Sequence, residues 1–294
     1  MRPSLDARAI TLALKGQWRS DKGIARCPAH DDREPSLSIA TGRNGTPVVM
    51  CFAGCSQRAV LDALKAHGLW VETDAALSDA DQRRAADMAR HNERKRIAAA
   101  IRLWREAKPI GGSVAETYLR ERGLRPPFPP SLRFAPQLLH TPSGLILPAM
   151  IAAVQRADRT IVAVHRTFLA EDGSGKAPVS PNKMILGPSH GGAVRLAAHD
   201  GELIVGEGIE STLSAMQVSG LPGWAALSTS GLMALQLAPD VRALTIAADN
   251  DENGAGQRAA YAAAARWTAE RRSVRVALPP VTGSDFNDLI EARL

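Results

Sequence analysis

Aromatic residues make up only 4% of the chain, too few for a row of rings on which successive bases of a single strand could stack. Cysteine is rarer still, with three in 294 residues. Three thiols cannot all pair with one another, and so few argue against a fold built on disulfides. No uninterrupted apolar run approaches the ~20 residues that a membrane helix needs, so a transmembrane segment is not expected. The opening MRPSLDARAITLALKG carries Asp6 and Arg8 ahead of any apolar run and has no small-residue cleavage site. It does not read as a signal peptide, and the expected location is cytoplasmic. A Gly-x4-Gly-Lys-[Ser/Thr] phosphate loop is also missing, which leaves any motor of that kind to another polypeptide.

What is there describes a folding chain. Apolar residues reach 45% and charged ones 22%, and the length suits two or three domains. A net charge of +6 inclines the chain towards a polyanionic partner, as it does many enzymes that have none.

The few cysteines are not scattered. Cys27 and His30 form a Cys-x2-His pair, and Cys51 and Cys55 follow after twenty residues as Cys-x3-Cys. Two short knuckles with two ligands each, separated by a hairpin, are how a tetrahedral Cys3His zinc site is assembled. Between them PSLSIA (35–40) alternates, GRNG (42–45) supplies turn residues and TPVVMC (46–51) returns as a strand. Ser56 then caps an expected helix over 57–67, closed by Gly68. Four protein ligands close the site, so the zinc expected here is structural. His67 is a second, less suitable histidine, and three ordinary buried thiols are the plain alternative. CPAHDDREPSLSI with VVMCFAGC resembles the zinc-binding domain of bacterial and phage-type DNA primases. The three-residue spacing of the last cysteine pair is the variant associated with primases of phages, plasmids and integrated mobile elements.

Residues 79–105 are rich in alanine and alternating charge and are expected to form a solvated linker helix. RPPFPP (125–130) breaks that pattern. Strands are expected at 145–154 and 160–169, with Arg166 on the face of Val162, Val164 and Phe168 and His165 on the other. The glycine- and proline-rich loop after them carries Lys176 and Lys183, which are surface lysines or phosphate contacts. The run HRTFLAEDGSGKAPVSPNKMILG resembles the basic subdomain that precedes the metal-binding fold of primases. That resemblance implies contacts to template and incoming nucleotide for Arg166, Lys176 and Lys183.

The last hundred residues alternate strand and helix signals: strands at 202–208, 223–229, 242–249 and 273–280, helices at 209–220 and 254–272. Such alternation implies a mainly parallel sheet covered on both faces, with ligands beyond the carboxyl ends of its strands. Glu207 follows the first strand, and Asp249 and Asp251 follow the third. Carboxylates at neighbouring strand ends can hold Mg²⁺; an acidic turn capping the next helix is the plain alternative. Gly206 and Gly208 are expected to allow a sharp turn and close approach of a phosphate. DNDENG lacks the calcium-loop Glu, since the twelfth position is Ala260.

Glu after the first strand, Asp-x-Asp after the third and SDFNDLI (284–290) closely resemble the Toprim fold shared by bacterial primases, topoisomerases and some nucleases. By that resemblance Glu207 is the acid nearest the reacting groups. Asp249 and Asp251 hold Mg²⁺ or Mn²⁺, and Asp285 with Asn287 or Asp288 completes the metal region. Cellular primases carry an aspartate where Ser211 stands; Glu210 is a weaker candidate for that ligand. The expected organisation is α/β: a zinc ribbon (1–72), a helical linker (73–108), a mixed α+β basic subdomain (109–197) and a Rossmann-like Toprim domain (198–294). The resemblance implies a primase that makes short RNA primers on single-stranded DNA from nucleoside triphosphates, with any helicase supplied in trans. A Toprim nuclease or strand-cleaving protein and a non-catalytic replication factor are the alternatives. Tyr118 and Tyr261 both fall in expected helices, without the surroundings of a strand-cleaving nucleophile.

Overall fold

The computed structural model describes residues 6–19, 21–32, 35–42, 46–70, 79–252 and 254–291. They fall into two compact units, Met1–Arg83 and Arg84–Leu294. No helix among the described residues is long and apolar enough to cross a membrane.

In the first unit, α1 (Ala7–Ala13) starts where the Asp6 carboxylate accepts the Ala9 N–H at 2.6 Å. Strands β1 (Gln17–Arg19), β2 (Lys22–Ala25), β3 (Leu37–Thr41) and β4 (Pro47–Cys51) then form one antiparallel sheet in that order. The helix α2 (Gln57–Ala66) is capped by Ser56, whose hydroxyl accepts the Ala59 N–H at 3.2 Å. Alternation puts Leu37 and Ile39 of β3 on the inner face with Val49 and Cys51 of β4. There they meet Ile10, Val60 and Leu64. The expected hairpin is β3–β4; residues 43–45 of its GRNG turn lie outside the described residues. Sequence periodicity did not mark α1, β1 or β2, which are too short to show it.

The boundary between the units falls within α3 (Asp79–Glu106), the expected charged helix, most of which belongs to the second unit. That unit continues through β5 (Lys108–Pro109), α4 (Val114–Glu121), β6 (Leu132–His140), β7 (Leu145–Gln155), β8 (Ile161–Phe168), β9 (Lys183–Leu186) and β10 (Ala193–Arg195). Then follow β11 (Glu202–Gly206), α5 (Ile209–Ser219), β12 (Gly223–Ala225), α6 (Thr229–Ala234), β13 (Ala243–Ala247), α7 (Ala255–Ala269), β14 (Ser273–Ala277) and α8 (Asp288–Glu291). Ten of these strands make one sheet in the order β14-β13-β11-β12-β10-β7-β6-β5, with β8 and then β9 added beside β7.

The expected parallel sheet is one end of this larger one. β11 is parallel to β12 and β13, and β13 to β14. β10 runs antiparallel to both β12 and β7 and joins the parallel part to the antiparallel part. Two apolar clusters pack it. One holds Leu203, Val205, Leu244 and Ile246 against Ala259, Ala260, Ala263 and Trp267 of α7; the small alanines let the helix approach closely. The other gathers Ile209 and Leu213 of α5 with Tyr118, Leu119, Val194 and Ala225. Each large side chain buried there stabilises the fold by roughly 1.5–3 kcal/mol.

One local expectation is corrected. β12 ends at Ala225 and does not run to 229, because Leu227 takes a left-handed φ of 74° and Ser228 caps α6. The backbone bends at Glu207 and Gly208, with no positive φ at Gly206 or Gly208. A Cβ on Gly206 would lie 2.5 Å from Thr212 Oγ1, so that glycine admits α5 against the strand. Gly208, at φ −85°, is the extended N-cap of α5.

Candidate active site and metal centre

In the first unit the ligand atoms of Cys27, His30, Cys51 and Cys55 all lie within 4.8 Å of one another. Cys55 Sγ and His30 Nδ1 are 3.2 Å apart. Burial pushes the Cys27 thiol up to about 12. Burial also acts to raise Cys51, but the Cys55 N–H and the Ser36 hydroxyl bring it down to about 7. Three crowded thiols resist ionising together without a cation among them, and the donor set fits tetrahedral zinc. His67, at the C-cap of α2, is not in the set.

The spacing argument missed Asp32. Its Oδ2 accepts the Cys27 N–H at 2.6 Å and the Ser36 hydroxyl at 2.6 Å, and its Oδ1 lies 3.5 Å from His30 Nε2. These bonds hold its carboxyl down to about 2. The imidazole therefore has one nitrogen towards the cysteines and the other towards a carboxylate, an arrangement that fixes the ring and its tautomer. The only sequence signal is an acid two residues after His30.

In the second unit the acids emerge where the parallel strands end. Gly206 pairs with Ala247, so Glu207 leaves β11 beside the segment that carries Asp249 away from β13. Glu207 is half-buried and its Oε1 is buried with no hydrogen-bond partner. Burial, followed by the charges of Asp249 and Asp251, pushes its carboxyl up to about 7. Asp249 is raised to about 6 by burial and by Asp285 and Asp251, with Lys183 opposing. Crowded, underbonded carboxylates of this kind are what a divalent cation relieves.

Asp251 is partly tied, since its Oδ2 accepts the Gly256 N–H of α7 at 3.0 Å. Asp285 is also tied. It accepts the Asn287 N–H at 2.6 Å, the Asp288 N–H at 3.2 Å and the Ser211 hydroxyl at 3.2 Å, while Asp288 accepts the Asp285 N–H at 2.8 Å. Asp285 and Asp288 thus form a reciprocal cap on α8. Asn287 is buried, and the Ser214 hydroxyl donates to its Oδ1 at 3.2 Å.

Glu210 accepts hydrogen bonds from Tyr118 and Lys183. Lys183 opens β9, Lys176 lies half-buried in the preceding loop, and their charges act on each other and on Glu210. Arg166 sits on β8 with Nε buried and unpaired; burial lowers its pKa. His165 is buried beside this group, and burial together with Lys183 pulls it down to about 4. Arg122, at the C-cap of α4, is a further cation close to Lys176 that the sequence did not single out. A cavity of about 360 Å³ elsewhere, lined by Trp104, Arg159, Arg195, His199 and Trp224 among others, contains none of the acids.

Residues 202–294 match the family model of the Toprim domain. The C-terminal region is a Toprim domain. Residues 94–196, ahead of this Toprim domain, match a domain of unknown function, DUF7146. No curated protein matches the chain. Among solved structures it is similar to the zinc-binding and RNA polymerase domains of the Aquifex aeolicus primase, at 16% identity and a TM-score of 0.46, covering 99% of this chain and 80% of that one. It is also similar to a DNA primase domain from Pseudomonas aeruginosa, at 17% identity and a TM-score of 0.41, covering 67% and 74%. The primase fragment of the bacteriophage T7 primase-helicase follows at 16% and 0.38, covering 64% and 70%. These likenesses are distant, and the Toprim match rests on the sequence itself.

Proposed function

We propose that the chain is a DNA primase that makes short RNA primers on a single-stranded DNA template. The observation that carries this reading is the Glu207 carboxylate. It stands at the end of β11 in a Toprim domain with one oxygen buried and unbonded, crowded by Asp249 and Asp251. Glu207, Asp249 and Asp251 would hold Mg²⁺ or Mn²⁺, with Asp285 and Asp288 completing the region. Bound there, the cation would neutralise phosphate charge and favour ionisation of a 3′-hydroxyl.

The chain's own residues then have distinct tasks. Lys183 and Lys176 would meet the triphosphate, and Arg166 the template backbone, each as a fixed charge in a half-buried setting. Glu207, raised to about 7, gives up its proton near neutral pH. This work is positioning and electrostatic, without a covalent intermediate. The Cys27–His30–Cys51–Cys55 site would stabilise a structural zinc ribbon (1–72) that helps to hold the template. Residues 73–108 would then act as a linker, 109–197 as the basic subdomain and 198–294 as the catalytic part, with a helicase recruited in trans where unwinding is needed.

The test is primer synthesis on single-stranded DNA of mixed sequence with labelled nucleoside triphosphates and Mg²⁺ or Mn²⁺, comparing the wild type with Glu207→Gln. Short template-dependent products from the wild type alone support the reading. A degraded template would mean a Toprim nuclease. A template bound and left unchanged would mean a non-catalytic binding factor.

A further inference from the structure

Glu210 stands three residues after Glu207, near enough in sequence to be taken for a further metal ligand. Its surroundings give it other partners. Tyr118 Oη donates to Glu210 Oε1 at 2.7 Å, and Lys183 Nζ donates to Oε2 at 3.2 Å. Tyr118 is 1% exposed and Glu210 5% exposed. Out of water, a charged hydrogen bond of this kind is stronger than at a surface and restricts its partners more tightly.

Three elements distant in the chain meet on this carboxylate: α4 through Tyr118, α5 through Glu210 and β9 through Lys183. Burial acts to raise the Glu210 carboxyl, but Lys183, the Tyr118 hydroxyl and Lys176 bring it down to about 2, so it stays ionised. Burial and that same charge push the Tyr118 phenol well above its usual range, so it stays a donor. Lys183 in turn acts on Asp249. The ammonium thus pairs with a carboxylate that Tyr118 also holds, while its charge acts on one acid of the metal region as well.

We infer that Glu210 is a positioning residue: held by Tyr118, it fixes the direction of the Lys183 ammonium, which a polyphosphate over the acids would meet, and it takes no part in binding the cation. This deepens the primase reading, on which only the kinetic part of its test rests.

The test compares the full chain with Glu210→Gln, Lys183→Gln, the double variant and Tyr118→Phe. Mn²⁺ and ATP binding are followed by calorimetry and primer synthesis by rate. Glu210→Gln should bind Mn²⁺ within about twofold of the wild type and ATP about threefold more tightly, because a negative charge has left the lysines. Its kcat should fall about tenfold, because the ammonium is no longer oriented, so KM and kcat fall together. With Lys183→Gln already present, the kcat effect of Glu210→Gln should vanish, because it acts through the lysine. Should Glu210→Gln fail to fold, Tyr118→Phe, which removes one oxygen, should lower kcat about threefold with Mn²⁺ binding unchanged.

Loss of Mn²⁺ affinity by about tenfold or more in Glu210→Gln or Tyr118→Phe would make Glu210 a ligand and overturn the inference. Multiplying kcat losses in the double variant would reduce Glu210 to a structural role and overturn it equally. If the wild type makes no primers, the primase reading fails while the two titrations still decide this one. Unchanged Mn²⁺ affinity with tighter ATP binding supports it, and weaker ATP binding overturns it.

Discussion

Gly256 faces Glu207 across a gap too narrow for one methyl group. A Cβ on Gly256 would lie 3.6 Å from Glu207 Oε1, 2.9 Å from Asp251 Oδ2 and 3.1 Å from the Asp249 carbonyl oxygen. Gly256 lies in the first turn of α7, and an added methyl must push aside the Asp251 carboxylate and the Asp249 backbone. Gly256→Ala should therefore lower the melting temperature and cut Mn²⁺ affinity and primer synthesis by about tenfold or more. Melting and titration of one sample check both. Undiminished Mn²⁺ binding would mean that the space between these acids is not where the cation goes.

Glu207 is stabilised least when it is charged and alone. Glu207→Gln removes an ionisable group crowded by Asp249 and Asp251, so the metal-free protein should melt higher at pH 7.5, by about 1–3 °C for a chain of this size. Primer synthesis should be lost in the same variant. A variant that melts lower than the wild type would show that the orphaned oxygen carries a bond that the described geometry lacks.

The pH dependence follows from the same crowding. Glu207 is raised from 4.5 to about 7 and Asp249 from 3.8 to about 6 in the folded chain. The folded state therefore keeps these protons when the unfolded state has lost them. The associated stability is fully present below about pH 4 and disappears as pH rises through 6 to 7. Between pH 5 and 7.5 the metal-free wild type should lose stability relative to a Glu207→Gln, Asp249→Asn variant. Mn²⁺, which competes with the same protons, should bind more tightly across that window. Parallel melting curves for the two proteins over that range would contradict the assignment.

Asp32 orients His30 from outside the ligand set, and its loss should be felt by the metal before the fold. Asp32→Asn should weaken zinc binding by about 10–100-fold. Zinc transfer to a chromogenic chelator measures this directly. Release at the wild-type rate would mean that the Cys27 N–H and the Ser36 hydroxyl, not the imidazole, are all that Asp32 serves.

The zinc knuckles, the β3–β4 hairpin and the acids at the ends of β11 and β13 were legible because each is local. A fixed spacing, a period of two or a strand followed by an acid marks them. What escaped depends on distance along the chain. Tyr118 and Glu210 are 92 residues apart, and Lys183 and Glu210 are 27 apart. No local pattern brings them together, and Glu210 read alone looks like a spare ligand. β6 was hidden by Pro136 and by the shift in its pairing with β7 between Ala135 and Leu138, which breaks the alternation. Gly206 was noticed for the bend that follows it, and only the packed position of Thr212 reveals that α5 also leaves no room for a side chain there.

β10 lies on the amino side of residue 196, where the DUF7146 match ends, yet it lies between β12 and β7 in the sheet. A Toprim fragment cut at 197–201 would leave its edge strand behind and present β12 as an open row of amides and carbonyls. It would also strip Val194 and Leu196 from the cluster that covers Ile209 and Leu213. The seam between the two family matches is thus not a place where the molecule can be divided. Exchange of one catalytic half for that of a relative would have to carry β10 along, or the graft would aggregate through the edge it exposes.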